Sequence, residues 1–169
     1  ELQKMMEKID KEKVAEMLDK IKEDTKNVEK EIDRNLELFK QLEFEQKLQQ
    51  TIDKLDELAE DQEKLSDETK KSEASKLDEL KKEQSALNEE FKQLKDDLDE
   101  LKKKNSELEE PNKLEDTEEQ EKDIEQDMEN SGNEMESGKQ QKASQSQKSA
   151  SGKMNSLSSK LTQMQQEME

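Results

Sequence analysis

The chain has 169 residues, of which 46% are charged and 25% hydrophobic, and its net charge is −18. Having so few apolar residues, only three of them aromatic, argues against a compact globular core, and the absence of Cys and His removes disulfides, the ordinary zinc sites and the usual nucleophile–base pairs. The acidic excess disfavours nucleic acid and anionic membrane surfaces as partners.

Low hydrophobicity with high charge describes disordered chains, but also long coiled coils, which need only two apolar residues in seven. Periodicity decides between them. No glycine or proline occurs before Pro111, and Gly132, Gly138 and Gly152 all lie in the last third.

Residues 1–70 read as one long helix. Its apolar stripe runs through Val14, Met17, Ile21, Val28, Ile32, Phe39 and Leu42. A phase slip follows Leu42, and the stripe resumes at Leu48, Leu55, Leu58 and Leu65, widened by Ile52 and Ala59. A stripe broader than a strict coiled-coil seam implies more than one neighbouring helix. The pairs Glu7/Lys11, Glu16/Lys20, Glu43/Lys47 and Glu60/Lys64 suit the solvent side, at about 0.2–0.5 kcal/mol each.

Residues 71–75 form the predicted turn, where Ser75 followed by Asp78 fits a helix N-cap. Residues 76–110 form the second predicted helix, with the clearest pattern in the chain. Leu77, Gln84, Phe91, Leu98 and Asn105 alternate in 3-4 spacing with Leu80, Leu87, Leu94, Leu101 and Leu108. That is a heptad seam with leucine at every second position and two polar interruptions. Lys81, Lys95 and Lys102 line one edge of it, and Glu83, Glu90 and Asp97 the other. The first helix offers no clean complement to these charges.

Residues 111–116 are a loop headed by Pro111. Thr117 and Gln120 fit a capping box that opens a third helix over 117–169. Its stripe is Ile124, Met128, Ser131, Met135 and Gly138, then Met154, Leu157, Leu161, Met164 and Met168. Between these, 143–152 is Ser, Gln, Ala and Lys with little to bury. It reads either as a close-packed face of small residues or as an interruption of the helix.

Folding the first two helices antiparallel about residue 73 sets Leu65 against Leu80, Leu58 against Leu87, Leu55 against Phe91 and Leu48 against Leu98. It also sets Gln62 against Gln84 and Gln41 against Asn105. Coincident polar layers are informative, since an unpartnered buried amide costs about 1–3 kcal/mol. A second fold near residue 112 sets Leu101 against Ile124 and Phe91 against Met135. The expected fold is therefore all-α: an elongated antiparallel coiled-coil hairpin or three-long-helix bundle. In that arrangement Val14, Met17 and Ile21 overhang one end, and Met154, Leu157 and Leu161 the other. Both overhangs are candidate docking surfaces.

Residues 111–137 carry a net charge of −9, and residues 138–169 carry +3. The acidic run Glu118, Glu119, Glu121, Asp123, Glu125 and Asp127 lacks the glycine of a calcium loop, and a helix spreads it around its circumference. No catalytic, cofactor or metal site is expected. No apolar run approaches the roughly 20 residues that span a bilayer, so membrane insertion by this segment is not expected.

The stretch Glu31-Ile-Asp-Arg-Asn-Leu-Glu-Leu-Phe-Lys-Gln-Leu-Glu-Phe-Glu-Gln-Lys-Leu resembles a family of long uncharacterised proteins of Bacteroidetes. So do Leu55–Ala59, Gln62–Leu65, Leu87–Phe91 and the run to Glu109-Glu110-Pro111-Asn112. That family has membrane-spanning helices near the N-terminus and a coiled-coil-rich body of unknown function. The resemblance implies an internal fragment of an envelope-associated protein, in its periplasmic or cytoplasmic part, and carries no site residues. The expected role is a non-enzymatic spacer or docking module. Its partners would be the rest of the parent chain, a second copy or another envelope protein. The alternatives are a homo-oligomerising coiled coil joined through the Leu77–Leu108 seam, or a disordered acidic regulatory or chaperone-like segment.

Overall fold

The computed structural model describes residues 2–168, and within them the side chains of residue 8 and of residues 11–73 and 75–168. The Glu7 of the first expected helix pair lies outside those side chains. All regular structure among the described residues is helical: α1 (Leu2–Lys71), a 3-10 turn (Ala74–Lys76), α2 (Leu77–Ser106), α3 (Glu118–Glu136) and α4 (Gln140–Met168). The expected three long helices are therefore corrected to four. The chain divides into two compact units, residues 1–41 and residues 42–169, with the division inside α1.

The first unit is helical among its described residues, and its described large apolar side chains, from Val14 to Phe39, are exposed. The second unit is a bundle of residues 42–71 of α1 with α2, α3 and α4. Side-chain hydrogen bonds fix its topology. Lys47 reaches Asp97 while Gln62 reaches Gln84, so α1 and α2 are antiparallel. Lys95 reaches Glu125 while Lys102 reaches Glu121, which sets α2 against α3. Ser146 reaches Glu134 while Lys160 reaches Gln120, which sets α3 against α4. Ser66 reaches Ser144 while Gln49 pairs with Gln165, so α4 returns antiparallel to α1 and closes the ring. The core is a leucine and methionine seam with Phe44, Ile52, Phe91 and Ile124 buried in it.

Local chemistry explains the helix boundaries. At the first turn Ser72 bonds back to Thr69 O through its hydroxyl, at 3.0 Å. Ser75 falls inside the 3-10 turn, and Lys76 takes the cap position of α2 without a side-chain cap bond. The predicted Ser75 cap therefore does not form. The next helix, α2, ends at Ser106, four residues before the expected boundary. Asn105 grips Asn112 from both sides: Nδ2 donates to Asn112 O and Oδ1 accepts from Asn112 N, each at 2.8 Å. That clasp turns the chain before Pro111 has to.

The capping box at Thr117 is also replaced. Thr117 Oγ1 donates to Glu121 Oε1 at 2.6 Å, and the Glu118 N–H is taken by Asp116 Oδ1. The third predicted helix breaks at residues 137–139 and not over 143–152. Gly138 adopts φ of +69°, and Lys139 N–H reaches Glu134 O at 2.8 Å while Gly138 N–H reaches Met135 O. This is a Schellman closure, which favours glycine at the left-handed position. Residues 143–152 stay helical because their small side chains let α4 approach α1. Ser66 Oγ donates to Ser144 O at 2.7 Å, and Ser151 Oγ donates to Ala59 O at 2.7 Å.

Candidate functional site

The bundle buries most of the seam residues picked out by spacing. Leu48, Leu55, Leu58 and Leu65 of α1 meet Leu80, Leu87, Phe91, Leu94, Leu98 and Leu101 of α2 in one core, with Leu108 beyond the helix end and Leu77 packed at its edge. Met154, Leu157 and Leu161 belong to the same core, at 0–2% exposure. They are no overhang: with a fourth helix, the end of the chain folds back along α1.

The polar layer of Gln62 and Gln84 extends further than two helices. Gln62 Nε2 donates to Gln84 Oε1 at 2.8 Å and Gln84 Nε2 returns a bond to Gln62 Oε1 at 3.1 Å. Gln147 Nε2 from α4 also donates to Gln84 Oε1, at 2.9 Å, and touches Met135 Sδ of α3 at 3.5 Å. All four helices contribute to this level. Gln147 Oε1 is the member without a hydrogen-bond partner among the described residues. Asn105 serves the Asn112 loop, a partner the register did not suggest, and Gln41 is half-buried in the other unit.

The charged edges of α2 face different neighbours. Asp97 takes Lys47 and Lys54 from α1, and Lys47 also holds Glu100. On the opposite edge Lys95 pairs with Glu125 at 2.7 Å and Lys102 with the buried Glu121 at 3.4 Å, both on α3. α1 complements only one of the two edges, and α3 complements the other. The signal available was the acidic block of 111–137. The same block meets the basic one: Lys153 pairs with Asp127 and Lys160 with Glu115. Partial burial works against ionised Asp97, but hydrogen bonds and charge from Lys47 and Lys54 outweigh it and hold the carboxyl below its usual range. Lys47 is likewise disfavoured by desolvation, yet Asp97 and Glu100 raise it above the ordinary lysine value. The Lys47 hydrogen bond also lowers Glu100.

An open cavity of about 630 Å³ beside the first turn is lined by Asp67, Glu68, Lys71, Ser72 and neighbours. Among the described residues no group of three or more carboxylates could hold a metal ion, and no helix is long and apolar enough to cross a membrane.

Among the described residues, the stripe of α1 before the bundle is the largest apolar feature left open. Val14, Met17 and Ile21 are 55%, 67% and 60% exposed, and the exposure continues through Ile32 and Phe39 to Leu42. Leu42 is 60% exposed whereas Phe44, two residues on and about 200° round the helix, is fully buried. No family model, no curated protein and no solved structure matches this chain.

Proposed function

We propose that this chain is a non-enzymatic helical interaction module, a spacer or docking segment of a larger envelope-associated protein. One observation carries the reading: ten large apolar side chains between Val14 and Leu42 are more than half exposed, while the leucine seam of the adjoining bundle is closed. A surface of that kind on a helix marks a place where another helix packs. The envelope setting is an inference from the resemblance to the Bacteroidetes family alone. Assembly through the Leu77–Leu108 seam is disfavoured, because that seam is covered within one chain and would have to open first. The order of the four helices likewise weighs against a disordered acidic segment.

The test is site-specific photocrosslinking in cells that make the protein. A photoreactive residue at Ile21 or Ile32 is expected to capture a protein, and one at Lys26, on the other face of α1, is not. Equal capture at all three positions, or none, would end the docking reading.

A further inference from the structure

We infer that residues 14–42 of α1 pair with the same segment of a second copy of this chain, as a parallel coiled coil in register. The inference rests on the docking reading and names the occupant. Val14, Ile21, Val28, Asn35 and Leu42 recur every seventh residue, and Leu18, Thr25, Ile32 and Phe39 alternate with them. That is nine consecutive seam positions with two polar members. Thr25 is already satisfied within its own helix, its hydroxyl donating to Ile21 O at 2.7 Å. Asn35 is the one seam side chain that needs a polar partner.

A second copy running parallel supplies that partner, since Asn35 then faces Asn35, and a register that shifts them apart leaves each amide unpaired. Running antiparallel, the register that opposes the two polar layers gives Asn35 only a threonine already engaged. It also sets Glu29 against Glu29 and Glu31 against Glu31, and leaves Val14 outside the seam. The parallel register repeats one like-charged contact, Asp24 with Glu29, on both sides of the seam and otherwise lays Met17 beside Lys22 and Leu36 beside Glu31, so it is Asn35 and Val14, not charge, that separate the two directions.

Area supports the same conclusion. At roughly 100 Å² for each exposed apolar side chain, the stripe offers about 1,000 Å² per copy. Two copies would then bury about 2,000 Å², at the upper end of the ~1,200–2,000 Å² of stable interfaces. Because Leu42 and Phe44 face opposite sides of α1, a helix seated on Leu42 does not compete with the one that covers Phe44.

The absence of cysteine allows a direct test on the full chain. Asn35→Cys is expected to oxidise to a disulfide-linked pair, as is Thr25→Cys, while Lys26→Cys forms no crosslink. Sedimentation equilibrium of the unmodified chain should give twice its 19.8 kDa mass, and the triple change Val14→Ser, Met17→Ser, Ile21→Ser should return it to one. A monomer at every concentration, or an assembled mass without the Asn35→Cys crosslink, overturns the inference. If Ile21 then captures a different protein in cells while Lys26 captures none, the docking reading survives without it.

Discussion

Gln84 shows how much one side chain can organise. Its carbonyl oxygen accepts from both Gln62 and Gln147, and its amide nitrogen reaches Gln62 and Asn88. Gln84→Leu therefore leaves two buried amides wanting, and is expected to destabilise the chain by about 2–4 kcal/mol. Gln147→Leu removes a single donor and also the orphaned Oε1, so it should cost less than about 1 kcal/mol or stabilise slightly. Urea unfolding of the two variants gives the ranking, and a reversed order would refute this account of the layer. Asp97 allows a pH test. Its folded-state pKa lies below the ordinary carboxylate range, so its contribution is present at neutral pH and is lost as pH falls through that depressed value. Asp97→Asn is expected to cost about 1 kcal/mol at neutral pH. The gap in urea midpoint from the parent should close as the pH is lowered below the carboxylate range. The Gln62–Gln84 contact was readable from sequence because two strict heptads share a fold point. The third glutamine was not, because nothing local tells Gln147 from the many other polar residues of its segment.

Glycine has opposite meanings in two neighbouring elements. Gly138 holds a left-handed turn at φ of +69°, and a Cβ there meets no neighbouring atom, so the strain of Gly138→Ala is purely conformational. Thermal melts should show a loss of about 1–2 kcal/mol. Gly132 sits within α3, again with open space around its Cβ, so Gly132→Ala should stabilise by about 0.5–1 kcal/mol. If both substitutions shift the melt in the same direction, the Schellman assignment is wrong. These two residues also show why the helix count was hard to read. The sequence offers three glycines in a helical pattern, and only the backbone reveals which one turns. The stretch 143–152, with little to bury, reads from sequence either as a close-packed helix face or as an interruption. Yet small residues are what let Ser144 and Ser151 come within hydrogen-bond reach of α1. At the end of α2, a proline marked the boundary to within four residues, but the Asn105–Asn112 clasp set it, and such a clasp depends on the path of the loop.

Stability is not expected to be uniform over the whole molecule. In the bundle unit the seam of α1 is closed by α2 and α4, whereas the stripe from Val14 to Leu42 is open within one chain. Hydrogen exchange of a dilute monomer should show amides of residues 48–66 protected and those of residues 12–40 exchanging far faster. If copies pair as inferred, protection of residues 12–40 should rise with protein concentration while that of residues 48–66 stays fixed. The return of α4 along α1 has a mechanical consequence. Gln165 lies beside Gln49, so the chain enters and leaves the bundle at the same end. Tension between residues 42 and 168 would then peel α4 from α1 one layer at a time, loading each contact in turn and not all together. Such an unzipping geometry yields at low force and re-forms from the turn at the far end. The bundle would act as a compliant element along the chain, one that lengthens under load and shortens when it is released.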